Sequence, residues 1–206
     1  TTTALDSKQV YSTIELGNDV QFTKGVFRSG KIHLRRFSDA NESQEYHLRG
    51  ETKLQLNVLD SPINSIIKVD YLKGSFPKNY NGLETQNYGN IQFSAAPSYL
   101  YIQDDFTVSA GFKAYYLMDS EQNKNDFYIY PNIEASYAVV NSIVVAYAAI
   151  KGDLYQNTYF DFVQSNPFVS PTLEIRPSST PYKVVVGTKG KLSQTIGYDL
   201  NGSFTR

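Results

Sequence analysis

Residues 46–58, YHLRGETKLQLNV, change character at every step for thirteen positions. Successive side chains of an extended strand point to opposite faces. Tyr46, Leu48, Gly50, Thr52, Leu54, Leu56 and Val58 therefore share one face, and His47, Arg49, Glu51, Lys53, Gln55 and Asn57 the other. A soluble sheet with one wet face also alternates, so length has to discriminate. Soluble strands usually run about five or six residues, whereas a strand tilted across a bilayer needs roughly 9–11. A charged face backing an apolar one over this distance reads as water inside and lipid outside, the pattern of a transmembrane β-barrel.

The same alternation recurs over residues 11–22, 26–37, 65–74, 90–101, 106–116, 127–139, 182–190 and 195–204. Residues 142–150 are apolar on both faces, so their inner side must meet something other than bulk water. With 46–58 this makes ten strands. Short turns are expected near 24, 60–63, 103–105, 140–141 and 191–193, and long loops at about 38–45, 75–89, 118–126 and 151–181. Short and long connections then alternate, as in an up-and-down barrel with brief turns on one side of a membrane and extended loops on the other. Pro97 interrupts its strand and predicts a bulge or a local loss of pairing, because proline has no N–H for a ladder.

The predicted fold is thus all-β, a single unit over residues 1–206, an antiparallel up-and-down transmembrane barrel of about ten strands and a section of a larger one. The alternative is a soluble up-and-down barrel that binds a small apolar ligand. Composition narrows the function. The 19 basic and 20 acidic side chains leave no basic footprint for nucleic acid, and the absence of cysteine excludes disulfides and thiolate metal sites. Seventeen tyrosines and twelve phenylalanines, with no tryptophan, suit interfacial aromatic girdles. The chain opens TTTALDSKQ, with neither a basic start nor an apolar core of a signal peptide. An internal piece of a longer exported chain is the expectation, since its last strand ends SFTR on the outer-loop side.

In the segments GDLYQNTYFDFVQSNPFVSP and IRPSSTPYKVVVGTKGKLSQTIGYDLNGSF, with KGVFRSGKIHLRRF and VDYLKGSF before them, the chain resembles TonB-dependent-receptor-like outer-membrane barrels of Gram-negative bacteria. The resemblance implies a non-enzymatic barrel in the outer membrane. Such a barrel passes a solute or serves as a subunit of a membrane assembly, with outer-membrane lipids and other subunits as partners. It implies no cofactor. True TonB-dependent transporters carry a plug domain and an energy-coupling box, and neither is present in these residues.

Two groups of residues are candidates for function. Glu15, Lys31, His33, Arg35, Arg49, Glu51, Lys53, Lys68 and Asp70, with Asp19, fall on the polar face of four consecutive strands. They line an ion path or, as is commoner for mixed charges on one wall, pair with each other. Parity places Glu15 opposite His33 and Lys31 opposite Glu51, with Glu51 or Lys53 reaching Lys68 or Asp70. His33 and His47, the only histidines, could form a metal or hydrolase pair, but no carboxylate cluster or GxSxG accompanies them, and a hydrogen-bonding role is expected. The second group, Tyr155, Tyr159, Phe160, Phe162 and Phe168, makes the last long loop too apolar for an idle connector. It is expected to fold over the barrel mouth, to dock a partner or to pack upon itself.

Overall fold

The computed structural model of the chain describes residues 9–58, 61–77, 84–140, 143–170 and 173–206. They form ten strands: β1 (Tyr11–Gln21), β2 (Phe27–Asp39), β3 (Gln44–Val58), β4 (Ser61–Phe76), β5 (Gln86–Gln103), β6 (Phe106–Asp119), β7 (Lys124–Val140), β8 (Val144–Tyr155), β9 (Ser178–Lys191) and β10 (Gly197–Thr205). A single short helix, α1 (Tyr159–Ser165), lies in the connection from β8 to β9. The strands form one antiparallel up-and-down sheet in sequence order. Among the described residues β1 and β10 are not paired with each other.

All ten expected strands are present, but most are longer than alternation indicated. The loops expected at 38–45 and 118–126 shrink to residues 40–43 and 120–123, the loop expected at 75–89 to 77–85, and the one at 151–181 to 156–177. The expected short turn at 60–63 also changes, because β4 begins at Ser61 with Pro62 opposite Asn57. Residues 59–60, and residue 141 of the turn expected at 140–141, lie outside the described residues. Strict short–long alternation therefore fails: the connection 22–26 exceeds 40–43. Strand pairing outlasts the apolar pattern, since strand ends beyond the apolar band are polar on both faces.

Two aspartates close these tight turns by the same device. Asp39 Oδ1 accepts from the N–H groups of Asn41 and Ser43 at 2.9 Å, and Asp119 Oδ1 accepts from Glu121 at 3.0 Å and Gln122 at 2.9 Å. The chain then returns through left-handed residues, Glu42 at φ 67° and Asn123 at φ 51°.

The prolines sit where a ladder lapses. Pairing of β5 with β6 skips Ala96 and Pro97 and resumes in the same register at Ser98, a loss of pairing without a bulge. Pro131 lies one residue beyond the end of the β7–β8 ladder at Asn132, and Pro181 lies within the β8–β9 register shift. Each position spares a missing N–H.

The sheet is curled around its polar face. Arg35 Nη2 on β2 donates to Thr158 Oγ1 at 3.1 Å, although Thr158 is only three residues past the end of β8. In a flat sheet six strand spacings would separate them by about 29 Å, and three residues span about 10 Å. The concave face carries the charged residues. The convex face carries Ile14, Leu16, Ile32, Leu34, Leu56, Ile67, Phe93, Phe112, Ile129, Ile133, Val186 and Leu200, all exposed. Apolar runs of nine residues on β3 (Leu48 to Leu56) and thirteen on β6 (Phe106 to Met118) bracket the bilayer-crossing length, while the run on β8 (Val144 to Ile150) is shorter. At one end of the band Tyr46 stands opposite Arg36 and Lys73, with the Arg36 guanidinium 5.8 Å from its ring centre.

Candidate functional site

Residues 156–170 and 173–177 form a strap across the concave face. Thr158-Tyr-Phe-Asp161 is a capping sequence: Thr158 Oγ1 accepts from Asp161 N at 3.1 Å and donates to Asp161 Oδ2 at 2.6 Å, which starts α1. One side of the strap, Tyr159, Val163 and Ile175, buries itself against Phe37, Leu72, Phe76 and Tyr88 of the sheet. Tyr159 meets Phe76 edge-on at 4.9 Å and Phe37 at 5.5 Å. Phe160 and Phe162 pack at the margin of this cluster.

The strap is fixed by Glu45, which is 0% exposed. Its carboxylate accepts from Tyr159 N at 2.6 Å, from Phe160 N at 3.4 Å and from Tyr88 Oη at 2.9 Å, with Arg35 Nη2 at 3.7 Å. First-turn N–H groups of a helix have no partner within the helix, so the acid satisfies donors that burial would otherwise orphan. Arg35 also lies 3.9 Å from the centre of the Phe160 ring. The Tyr159 hydroxyl donates to Asp39 Oδ2 at 2.9 Å; burial, then the Asp39 charge, push its pKa above the ordinary phenol value and keep it a donor.

Two Arg–His–carboxylate chains run beside this anchor. Arg35 Nη2 lies 3.3 Å from His47 Nδ1, and His47 Nε2 lies 2.7 Å from Asp70 Oδ1. A guanidinium can only donate, so Nδ1 accepts and the proton on Nε2 is given to Asp70. The second chain runs the other way on the same strands: Arg49 Nη2 to His33 Nδ1 at 3.3 Å, and His33 Nε2 to Glu15 at 3.6 Å. Arg35 opposes His47 and Arg49 opposes His33 in the β2–β3 ladder, which gives the pair its local two-fold relation. Each histidine is bonded to an arginine, and no group of three metal-ligating side chains occurs among the described residues.

The other expected charges reach the concave face, with partners partly reassigned. Glu15 stands opposite Arg35 and meets His33 diagonally, a correction to the expected direct opposition. Lys31 does oppose Glu51, but its ammonium pairs with Asp19 at 3.2 Å, while Glu51 pairs with Lys68 at 3.2 Å. Lys53 has no ion partner among the described residues. Asp70 serves His47 instead of Glu51 or Lys53. On the inner face of the stretch that is apolar on both faces, Tyr147 reaches across Gly187 of β9 to β10, where its hydroxyl donates to Asp199 at 2.7 Å.

Of the five aromatics expected in the last long loop, Tyr159, Phe160 and Phe162 fold inward from the strap, Phe168 on the strap is 75% exposed, and Tyr155 instead ends β8 and is 55% exposed. Sequence reasoning missed Glu45, Tyr88, Asp39 and Thr158. The signals were the Thr-x-x-Asp cap and the odd-numbered inward parity of β3, which extends back through His47 to Glu45.

A cavity of about 400 Å³ lies between the strap and the concave wall, lined by Arg49, Asp70, Gln92, Tyr155, Gln156 and Asp161 among others. Gln92 Nε2 donates to Gln156 Oε1, tying wall to strap. On its far side Asp153 accepts from Lys113 at 2.7 Å and from the Tyr115 hydroxyl. No family model, curated protein or solved structure matches the chain, so the resemblance to TonB-dependent-receptor-like barrels rests on its quoted residues alone.

Proposed function

We propose that the chain is a section of an outer-membrane β-barrel of a Gram-negative bacterium, TonB-dependent-receptor-like and non-enzymatic, whose strapped lumen handles a polar solute. One observation carries this reading: the curled sheet is polar on its concave side and apolar on its exposed convex side. A soluble barrel holding an apolar ligand has the reverse polarity. In lipid, convex residues such as Ile14, Leu16 and Leu200 find their solvent, and the Arg36–Tyr46–Lys73 row suits the headgroup level. The edges of β1 and β10 must then be paired, because hydrocarbon satisfies no backbone group. A helix is about 10–12 Å across, and eight strands leave room only for side chains. A lumen that holds α1 and its aromatic seat favours more than ten strands. Service as a subunit of an assembly is the second reading, favoured by Phe168, which stands bare on the strap.

The chain has no tryptophan, so single reporters test the polarity directly. In proteoliposomes, Phe112→Trp on the convex face is expected to be quenched by lipids brominated on their acyl chains, and Tyr147→Trp on the concave face by aqueous iodide. Quenching of the Phe112→Trp variant by iodide and not by brominated lipid would refute the membrane assignment.

A further inference from the structure

We propose that the cavity under the strap is a binding subsite for a neutral, polyhydroxylated solute, a mono- or oligosaccharide. The inference deepens the solute-handling reading and rests on it for the route by which the solute arrives. At about 400 Å³ the cavity falls within the range of small-molecule sites, roughly 300–1,000 Å³, but its walls are polar where most such sites are apolar. An apolar ligand would strip water from these side chains and leave them unpaired, which is costly.

The charges around the cavity are matched only in part. Lys68 holds Glu51 at 3.2 Å and Lys113 holds Asp153 at 2.7 Å, whereas Asp70 accepts from His47 at 2.7 Å, Asp161 accepts from the Thr158 hydroxyl at 2.6 Å, and Arg49 donates to His33. With Arg49 and these two acids lining one cavity, a simple anion or cation would meet a like charge beside any opposite one. What remains is a set of hydrogen-bonding edges of both kinds: the Gln92 amide oxygen, the free lone pairs of Asp70 and Asp161, and the remaining donors of Arg49. Hydroxyl groups, which donate and accept at once, fit such edges.

Tyr155 supplies the second element. Tyr155 is among the residues that line the cavity and is 55% exposed, whereas Tyr115 beside it is buried, with its hydroxyl committed to Asp153. A bare aromatic face flanked by planar amides matches a sugar ring, which offers C–H groups on its faces and hydroxyls at its rim. The strap segment gives Gln156 and Asp161 while the wall gives Gln92 and Arg49, so a bound sugar would bridge the two and hold the strap down.

Tyr155→Trp gives the chain one tryptophan, at the site, and keeps an aromatic face there. Titration of the refolded variant with maltose, cellobiose and raffinose is expected to give a saturable emission change with at least one of them, and none with sodium phosphate or glutamate. Adding Gln92→Leu should weaken the response roughly three- to tenfold. Phe168→Trp, on the exposed part of the strap, should not respond. The proposal is overturned by no saturable change with any of the three sugars, by a response to phosphate or glutamate alone, or by an equal response from the Phe168→Trp variant. Circular dichroism with and without detergent keeps the two readings apart. A chain that folds without detergent would sink the barrel reading while the titration still decides the site.

Discussion

The two ends of the concave face carry the same kinds of side chain and treat them differently. At the strap end Arg35 and Glu45 lie almost fully out of water, held by helix N–H groups, a phenol and an aromatic ring. Farther from the strap Asp19–Lys31 and Glu134–Lys151 pair between neighbouring strands with water around them. Alternation brings charge to the inner face at both ends. Only the strap, arriving from β8, turns one set into a dry anchor. A buried charge that loses its partner costs several kilocalories per mole, whereas an exposed pair contributes little. The strap end is thus where single substitutions should matter.

The largest effect is expected at Glu45. Glu45→Ala strands Arg35 and orphans the N–H groups of Tyr159 and Phe160, a loss of about 3–5 kcal/mol, measured by denaturant unfolding in micelles. The strap should become a protease-cleavable loop in the same variant. At the far end a double-mutant cycle on Asp19 and Lys31 should give a coupling of about 0.2–1 kcal/mol that shrinks as salt is raised. If Asp19→Ala costs as much as Glu45→Ala, the distinction between a dry and a wet end is wrong.

Much of the fold could be read from parity. The strand count, the inward set from Glu15 to Asp70 and the opposition of Lys31 and Glu51 all follow from a period of two, which any half-polar sheet enforces. Which opposed charges touch does not follow. Lys31 turns to Asp19 rather than Glu51, because it stands directly opposite both, one on each neighbouring strand, and its ammonium settles on one of them. Glu45 was hidden for a different reason. It sits among polar residues at a strand end, and the strap N–H groups it holds lie more than a hundred positions away. Alternation holds no information about contacts between a strand and a distant loop. The strap's fate was open for the same reason: its aromatic content marked it as packed, but only the seat of Phe37, Leu72 and Phe76 decides which rings turn inward.

The central claim, apolar outside and polar inside in a bilayer, is tested most directly by one arginine moved by one residue. Ala110 is on the convex face of β6 opposite Tyr99 and Ile133, and Ser109 is on the concave face opposite Glu134. Refolded into lipid vesicles, Ala110→Arg should lose about 2–4 kcal/mol relative to the parent chain, whereas Ser109→Arg, beside an acidic neighbour, should unfold at the parent's denaturant midpoint. Equal losses at the two positions, or a greater loss at Ser109, would contradict it.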